Sequence, residues 1–353
     1  MKKNNEQASK MESKGCDHSC KLSEVIFDSR WTGSNGIGRF SKEIAERLNF
    51  TKLYADKKNP AGFLSTFRLG LWTTLNTGGY IFSPSYIPPT PSKLPFTFTI
   101  HDLNHIDAPH NSSLLKRIYY RLIILPAVHR SHSVLTVSEF SKNRIVDWSG
   151  CRPDKVKVVG NGVSSAFNQS AIPIKPGYKY IFCCSNRKGH KNEIRLLQAF
   201  KASNLHNAIK LVFTGASDRK TTKTIQELEL GNAVIYTGKI SEVELASWYR
   251  GAIATIFPSL YEGFGLPIIE SMACGTPVVA SNTTSLPEVG GNAGYYVDPL
   301  SIQSISAGIK HVVENENLRN EMRQKGLVRT NLFTWDRTAN LVRDAIEELM
   351  KSK

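Results

Sequence analysis

The sequence AIATIFPSLYEGFGLPIIESMACGTPVVAS, residues Ala252–Ser281, combines a β-rich run, a glycine-containing turn and a short helical pattern, followed by a second β-rich run. Gly263 and Gly265 allow the backbone of the turn to approach a ligand closely. Pro267 suits the first turn of the helix, and Gly275 suits its end. The free N–H groups and the positive dipole end of this helix predict a diphosphate site in the crevice beyond the sheet.

The same alternation of β-rich runs and helical patterns extends over most of the 353-residue chain. The first group of runs is VIFDS, KLYA, GYIFSPSY, FTFTIHD, SVLTVS and VKVVGNG, and the second group is YKYIFCCSN, IKLVFTGA, AVIYTGKI, AIATIFPS, PVVASN and AGYYVDP. Such alternation predicts parallel sheets covered by helices. Because the chain length favours about two domains, we predict an α/β protein with two consecutive doubly wound parallel-sheet domains.

The runs and the loops between them indicate the domain boundaries. We predict a disordered extension over residues 1–21, a first Rossmann-like domain over 22–172 and a second over 173–334, with a C-terminal helix over 335–353 that packs back on the first domain. The loop AIPIKPG (Ala171–Gly177) is the predicted hinge. Ligands of such sheets bind beyond the carboxyl ends of the strands, so the cleft between the domains is the predicted active site.

Two carboxylates flank the glycine-containing turn, Glu262 before the helix and Glu270 within it, with seven residues between them. Carboxylates accept hydrogen bonds from pairs of neighbouring hydroxyls. On either side of a diphosphate site, the two carboxylates match the layout of a nucleotide-sugar, which consists of a ribose, a diphosphate and a sugar. The alternative is a solvated Glu262 and an ordinary helix-surface Glu270.

This segment resembles the E-x7-E signature of the retaining GT-B glycosyltransferases of family four, and the resemblance extends from the first predicted strand to the end of the chain. It implies the GT-B fold, in which two Rossmann-like domains face a cleft, and sugar transfer with retention of anomeric configuration. It also implies that the first domain binds the acceptor and the second the donor, and that Glu262 contacts the transferred sugar and Glu270 the ribose. Phe264, Gly265 and Leu266, which lie between them, are expected to contact the donor.

The loop SNRKGHKN (Ser185–Asn192) follows the first strand of the second domain and carries a cluster of cations. Arg187 and Lys191 are expected to neutralise the β-phosphate as it leaves, which is the main electrostatic demand of glycosyl transfer. The loop is similar to the basic loop of family four, which implies Lys191 as a diphosphate ligand. Many members have an arginine five residues before that lysine, but here Asn186 occupies the position. A solvated basic turn is the alternative.

The first glycine loop, TGSNGIGRF (Thr32–Phe40), follows the first strand and opens a helix. Gly36 and Gly38 are expected to bring backbone amides to the donor phosphate. A dinucleotide fingerprint needs a glycine at position 41, where this chain has Ser41, so G-x-G alone also fits an ordinary strand-to-helix turn. The segment is similar to the G-x-G-R loop of family four, which favours the phosphate site.

The run FTFTIHD ends in His101 and Asp102 at the carboxyl end of a strand, where a side chain reaches the cleft. It is similar to the H-D segment of family four, which implies that His101 contacts the transferred sugar; a structural histidine is the alternative. Ser138–Lys142 resembles a further cleft-lining segment of that family. A helix N-cap at Ser138 explains the segment equally well.

Metal binding is not expected from the sequence. No Asp-x-Asp pair occurs, so the usual carboxylate clamp for a divalent cation on a nucleotide diphosphate is missing. Cys16, His18 and Cys20 match no standard zinc pattern. We therefore expect no metal and no other cofactor, with cationic side chains and helix N-termini binding the diphosphate instead.

The formal net charge of +15 suggests an anionic partner, and residues 1–172 contribute +10 of it, with 23 Lys and Arg against 13 Asp and Glu. No recognised binding motif accompanies the charge, which argues against nucleic acid. The segment LLKRIYYRLIILPAVHR (Leu114–Arg130) is basic, contains no acidic residue and is rich in large apolar side chains. It either lies on an anionic membrane surface or packs on the first sheet with a solvated basic edge.

The predicted function is transfer of a sugar from GDP-mannose or a UDP-sugar to a glycan or lipid-linked acceptor in surface polysaccharide assembly, such as that of lipopolysaccharide. The sequence shows no apolar run long enough to span a membrane and no apolar signal core, so we expect a cytoplasmic protein, peripheral at the inner face of the membrane if the basic segment binds lipid. Two alternatives remain open: a nucleotide-sugar epimerase or glycan phosphorylase on the same fold, and a non-catalytic nucleotide-sugar-binding scaffold.

Overall fold

The computed structural model describes residues 22–31, 33, 36–56, 60, 62, 64–76, 78–108 and 112–351. The predicted extension 1–21, with Cys16, His18 and Cys20, lies outside the described residues, as do three residues of the first glycine loop, Thr32, Ser34 and Asn35. The described chain forms two six-stranded sheets flanked by helices.

Each strand is a short run of residues, and each predicted β-rich run contains one. The first sheet consists of β1 (Val25–Asp28), β2 (Lys52–Tyr54), β3 (Tyr80–Ser83), β4 (Phe96–Thr99), β5 (Val134–Thr136) and β6 (Val156–Val158). The second consists of β7 (Tyr180–Cys183), β8 (Lys210–Phe213), β9 (Val234–Tyr236), β10 (Thr255–Phe257), β11 (Val278–Ser281) and β12 (Gly294–Val297). The strand orders are β2-β1-β3-β4-β5-β6 and β12-β11-β10-β7-β8-β9, with neighbouring strands parallel.

Helices connect the strands of each sheet. Those of the first half are α1 (Gly36–Leu48), α2 (Ser65–Leu75), α3 (Asn104–Asp107), α4 (Leu114–Tyr119), a π-helical turn (Tyr120–Ile124), α5 (Leu125–Arg130) and α6 (Glu139–Ser149). Those of the second half are α7 (Glu193–Ala202), α8 (Arg219–Glu227), α9 (Glu242–Gly251), α10 (Leu266–Ala273), α11 (Leu286–Gly290), α12 (Ile302–Glu314), α13 (Glu316–Thr330) and α14 (Trp335–Lys351).

The central strands are buried along their whole length, as expected for parallel strands covered on both faces. All four residues of β1, β3, β4, β7 and β11 are buried. Phe82 and Phe98 of the first sheet, and Phe182 and Phe213 of the second, have no exposed surface. The two parallel sheets confirm the predicted α/β fold class.

The last helix, α14, packs on the first sheet although it follows the second sheet in sequence. Its apolar side chains recur every three or four residues, at Trp335, Ala339, Val342, Ile346 and Leu349, and all belong to the same buried cluster as β1 and α1. Full burial of one large apolar side chain contributes roughly 1.5–3 kcal/mol. Helix α14 therefore links the two halves of the chain through a hydrophobic core.

Backbone contacts close to the glycine-containing turn also join the two halves. A Cβ atom on Gly263 would lie 2.6 Å from the His101 carbonyl oxygen, so only glycine fits this approach. The Ser138 hydroxyl accepts a hydrogen bond from the Ser141 amide at 3.0 Å and donates one to the Gly263 carbonyl at 2.6 Å. Ser138 is therefore the N-cap of α6, the second of its two sequence interpretations, and it also contacts the second domain.

No helix among residues 22–351 that the structure describes is both long and apolar enough to cross a bilayer.

Candidate active site

A cleft of about 510 Å³ lies between the carboxyl ends of the two sheets. In each sheet the chain reverses its direction of strand addition at one point, between β1 and β3 and between β7 and β10. Ligands of open parallel sheets bind at these points. The cleft brings together most of the predicted site residues, since its lining includes Gly36, His101, Lys191, Glu262, Phe264, Gly265 and Leu266. A second groove, of about 630 Å³, lies beside the start of α14 and is lined by none of them.

The predicted sugar and phosphate residues of the second domain form an ion pair. Lys191 Nζ lies 2.7 Å from Glu262 Oε1, and the ammonium also lies 4.8 Å from the centre of the Phe257 ring. Burial lowers the pKa of Lys191, but the charge of Glu262 and its hydrogen bond outweigh burial, so the net pKa lies above its ordinary value. Lys191 is therefore a permanent cation in the cleft.

The turn that carries Lys191 is fixed by the next residue. Asn192 adopts the left-handed conformation, with φ of 60°, and is the N-cap residue of α7. Its side-chain amide donates to the carbonyl oxygens of Pro258 at 2.9 Å and Pro299 at 2.8 Å. These bonds hold the basic loop against the strand end that leads to Glu262 and so fix the position of Lys191.

His101 contributes an uncharged ring to the first-domain wall of the cleft. Its Nε2 lies 2.9 Å from the Pro84 carbonyl, so Nε2 carries the proton and Nδ1 is left as an acceptor. The ring meets Phe40 edge-on at 5.0 Å between centroids. Burial lowers the pKa of His101 to about 4, with a smaller opposing effect of the Pro84 carbonyl. At neutral pH the imidazole is suited to accept a hydrogen bond from a sugar hydroxyl.

Asp102 is a second carboxylate in the cleft, and sequence reasoning named it only as a neighbour of His101. Burial raises its pKa to about 6, while the Asn104 amide, which donates to Oδ1 at 2.9 Å, opposes the rise. The negative charge of Glu262 also raises the pKa of Asp102, because the two carboxylates repel each other. Its place beside a predicted site histidine, at the end of a strand, is the sequence signal that pointed to it.

Glu270, the predicted ribose ligand, is buried below the cleft and does not line it. Its Oε1 lies 2.5 Å from Arg39 Nη1, and its Oε2 accepts a hydrogen bond from the Tyr249 hydroxyl at 3.2 Å. Burial raises the pKa of Glu270 and the Arg39 charge lowers it, with a net rise. Sequence reasoning missed Arg39, although the residue belongs to the G-x-G-R loop.

Arg187, the second cation expected at the leaving phosphate, also lies outside the cleft lining. Its guanidinium forms an ion pair with Glu193 at 2.8 Å and lies over the rings of Phe213 and Tyr236, at 5.1 Å from each centroid. These contacts hold it on the second domain. The cationic residues of the basic loop that do line the cleft are Lys191 and Lys188.

The glycines of the two loops differ in what they do. Gly36 is the first residue of α1 and lines the cleft. Gly38 does not line the cleft. A Cβ at this position would lie 2.5 Å from the Gly33 carbonyl oxygen, so a glycine here allows the backbone at Gly33 to lie close to α1. Gly265 precedes α10 with φ of 101°, a conformation that favours glycine, and a Cβ there would lie 2.6 Å from Leu286.

The first-domain wall also contains four aromatic residues that sequence reasoning missed, namely Trp31, Tyr86, His105 and Tyr120. Three of them follow the ends of β1, β3 and β4 within a few residues. The rule that ligands bind beyond strand ends would have found these three, but Tyr120 depends on the packing of the π-helical turn.

Known proteins resemble this chain over most of its length. The family profile described as Glycosyl transferases group 1 matches residues 165–329, and the one described as Glycosyltransferase Family 4 matches residues 80–167. O-antigen chain mannosyltransferase B of Escherichia coli is 28% identical over 316 residues, which are 84% of this chain and 83% of that protein.

Solved structures share the fold at lower identity. Sucrose-phosphate synthase from Thermosynechococcus elongatus has a TM-score of 0.74 at 18% identity, over 93% of this chain and 99% of that one. Anabaena Alr3699/HepE, solved in complex with UDP and glucose, has a TM-score of 0.72 at 17% identity, over 92% of this chain and 99% of that one. The two family profiles, the curated relative and the two-sheet architecture together indicate a GT-B glycosyltransferase of the family four type.

Proposed function

We propose that this protein is a retaining glycosyltransferase that moves a hexose from a nucleotide-diphosphate sugar to a hydroxyl of a glycan or lipid-linked acceptor. The observation that carries the proposal is the Lys191–Glu262 pair at 2.7 Å, which lines the same cleft as the neutral His101. A cation, a hydroxyl-binding carboxylate and a neutral imidazole suit the diphosphate and the sugar of such a donor. The mannosyltransferase relative favours GDP-mannose as the donor and surface polysaccharide as the product.

The second domain supplies the groups that stabilise the leaving diphosphate. Lys191 and Lys188 offer positive charge, and α10 begins in the cleft with Leu266 and Pro267, so the positive end of its dipole lies at the cleft. Charge that develops on the leaving oxygen is stabilised most by donors that are already in place. We expect no metal ion in this step, because these groups supply the required positive charge.

The proposed reaction takes place on one face of the sugar. The bond between the anomeric carbon and the diphosphate oxygen breaks, and the acceptor oxygen bonds to the same carbon from the same side. The acceptor proton passes to an oxygen of the departing diphosphate. Glu262 and His101 orient the sugar hydroxyls, and neither acts as a covalent nucleophile.

Donor binding changes the partners of the charged side chains in the cleft. Lys191 must exchange Glu262 for phosphate oxygens, which frees the Glu262 carboxylate for sugar hydroxyls. Glu270 keeps the role of ribose ligand in this proposal, which requires donor binding to open its buried carboxylate to the cleft. The carboxylate has the capacity, since it accepts about four hydrogen bonds and Arg39 and Tyr249 use two. Arg39 then fixes the orientation of the carboxylate.

An exposed apolar surface next to the cleft supports a membrane-bound acceptor. Helix α2 exposes Phe67, Leu71 and Leu75, together with Leu64 before it, while the basic segment exposes Leu114, Leu115, Ile118 and Leu122. Tyr119 of α4 contacts Thr66 of α2, so the two stripes are adjacent. We call these eight residues the leucine surface.

The charge around the leucine surface suits anionic lipid. The described residues between Leu64 and Glu139 include six Lys and Arg and two acidic residues, Asp102 and Asp107. One of the six, Arg68, forms an ion pair with Asp56 at 2.6 Å. Asp102 lines the cleft, and Asp107 is paired with Arg144 at 2.8 Å. Apolar side chains beside an excess of cationic residues are the features of a helix that lies on an anionic bilayer. We therefore propose that the protein acts as a peripheral protein at the cytoplasmic face of the membrane.

Calorimetric titration with donors tests the proposed function. GDP-mannose, UDP-glucose, ADP-glucose and dTDP-glucose are titrated with and without EDTA, using the wild type and Glu262→Gln. We expect one donor to bind selectively, to tolerate EDTA and to lose affinity in the variant. Binding of none would contradict the proposal.

The same preparation separates the alternatives. Epimerised donor, or sugar phosphate formed from inorganic phosphate and a glycan, would favour an epimerase or a phosphorylase. Tight donor binding without turnover on a panel of glycans would favour a non-catalytic scaffold.

A further inference from the structure

The first-domain wall of the cleft carries a continuous row of aromatic rings. Trp31 lies 5.8 Å from Tyr86 between centroids, Tyr86 lies 5.7 Å from His105, and His105 lies 5.9 Å from Tyr120. Tyr86 also stacks on Tyr120 at 6.3 Å. Such spacings are those of rings in mutual contact. The mutual contacts make the row a rigid wall of the cleft.

The row ends in a polar group that has no hydrogen-bond partner in the described part of the chain. Trp31 Nε1 is buried and makes no hydrogen bond to any residue that the structure describes. A buried donor without a partner costs free energy, so such groups in native proteins call for an explanation. An acceptor oxygen of a ligand in the cleft would supply the missing bond.

The wall carries no positive charge of its own. Burial lowers the pKa of His105 to about 4, and the charges of Lys116 and Lys188 lower it further, so the ring is neutral at physiological pH. Its Nδ1 lies 3.3 Å from the Tyr120 hydroxyl. Rings with a few polar groups suit a pyranose, which presents C–H bonds on one face and hydroxyls at its edge.

We propose that this aromatic wall is the acceptor subsite and that it binds the terminal pyranose of an uncharged glycan. The sugar ring stacks on Tyr86, and one of its oxygens accepts a hydrogen bond from Trp31 Nε1. This inference rests on the proposed function, because it assigns the acceptor side of the same cleft. Lys188 and Lys191 lie on the opposite, donor side.

The variants for the test separate ring stacking from hydrogen bonding. Trp31→Phe keeps an aromatic ring and removes the N–H group, and Tyr86→Leu removes the stacking ring. Tyr86→Phe keeps that ring and is its matched control. Trp72→Phe is the control for a tryptophan outside the cleft, since Trp72 lies in α2 and packs on Tyr54 of β2.

The probes are methyl glycosides of mannose, glucose, galactose, N-acetylglucosamine and rhamnose, with mannose 6-phosphate as the charged comparison. Their contact with the full-length protein is measured by saturation-transfer difference NMR in the presence of GDP and UDP. For the glycoside that binds, the dissociation constant is then measured for each variant. Donor affinity is measured in parallel by calorimetry.

We expect one of the uncharged glycosides to bind, with Trp31→Phe and Tyr86→Leu each weakening it by about tenfold. Tyr86→Phe and Trp72→Phe should change it by less than about twofold, and donor affinity should be unchanged in all four variants. Binding of no uncharged glycoside, or of mannose 6-phosphate alone, would overturn the inference. Equal loss of donor affinity would assign the wall to the donor, whereas absence of donor binding by the wild type would overturn the proposed function itself.

Discussion

Glu270 in α10 and Arg39 in α1 lie 2.5 Å apart, measured between Oε1 and Nη1, although 231 residues separate them in the sequence. Arg39 also pairs with Glu242 at 2.8 Å. The two segments that resemble family four most closely, the G-x-G-R loop and the E-x7-E segment, therefore meet through one arginine. The pair joins the two domains directly below the cleft.

Removing Arg39 should destabilise the protein, because a buried carboxylate would then lack its counter-charge. We expect Arg39→Met to lower the free energy of unfolding by about 3 kcal/mol, measured by urea denaturation. The double variant Arg39→Met with Glu270→Gln should recover most of the loss, since the buried charge at position 270 is gone and Glu242, the other partner of Arg39, is partly exposed to solvent. If the single and double variants are equally unstable, the ion pair is not the cause.

Lys191 should affect the chemical step more than the fold. We expect Lys191→Met to reduce kcat by about a hundredfold, because the leaving phosphate loses a positioned cation. Lys191→Arg should retain more activity, and Lys310→Met, at an exposed position on α12, should have no effect. Steady-state kinetics with the selected donor provide the measurement, and circular dichroism checks the fold. A kcat for Lys191→Met within a factor of three of the wild type would remove Lys191 from the mechanism.

Asp102 gives the protein a defined pH dependence of stability. Because the pKa of Asp102 is raised from 3.8 to about 6, the folded protein holds a proton there that the unfolded chain has lost, so this contribution to stability falls as pH rises from about 4 to 6. Asp102→Asn removes the titration. Relative to the variant, the wild type should lose about 2 kcal/mol between pH 4.5 and pH 7.

Urea denaturation of both proteins at the two pH values measures this difference. The depressed pKa of His101 acts in the opposite direction, since stability is lost as pH falls from 6.5 to about 4, but both proteins share it and it cancels. Parallel pH dependences would contradict a raised pKa for Asp102.

The leucine surface should bind anionic membranes. We expect Leu115→Ser with Leu122→Ser to weaken binding to vesicles of phosphatidylcholine and phosphatidylglycerol by at least about tenfold, because two apolar side chains no longer enter the lipid. Val328→Ser, at an exposed apolar position on α13, is the matched control. Vesicle sedimentation measures binding, and higher salt should weaken it. Equal binding by all three proteins would place the membrane contact elsewhere.

The fold could be predicted from the sequence because parallel strands are buried on both faces. Runs such as YIFC in β7 and VVAS in β11 are therefore continuous rather than alternating, and the glycines and prolines between them mark the loops. The same reasoning found Glu262, Lys191 and His101, since each follows the end of a strand.

The ion-pair partners of Arg187 and Glu270 could not be predicted from the sequence in the same way. Glu193 holds Arg187 on the second domain, and Arg39 meets Glu270 across the domain boundary. Both contacts depend on tertiary packing, which no local spacing encodes. In the aromatic wall, Trp31 and Tyr86 follow the ends of β1 and β3, where the strand-end rule applies, whereas Tyr120 reaches the cleft only through the packing of the π-helical turn.

Analysis of the transfer product tests the central claim most directly. The wild type and Glu262→Gln are incubated with GDP-mannose, EDTA and a methyl glycoside acceptor, and the one-bond coupling at the anomeric carbon of the product is measured by NMR. We expect a disaccharide with the α configuration of the donor, formed by the wild type and at least about a hundredfold more slowly by the variant. A β-linked product, or equal rates for the two proteins, would contradict it.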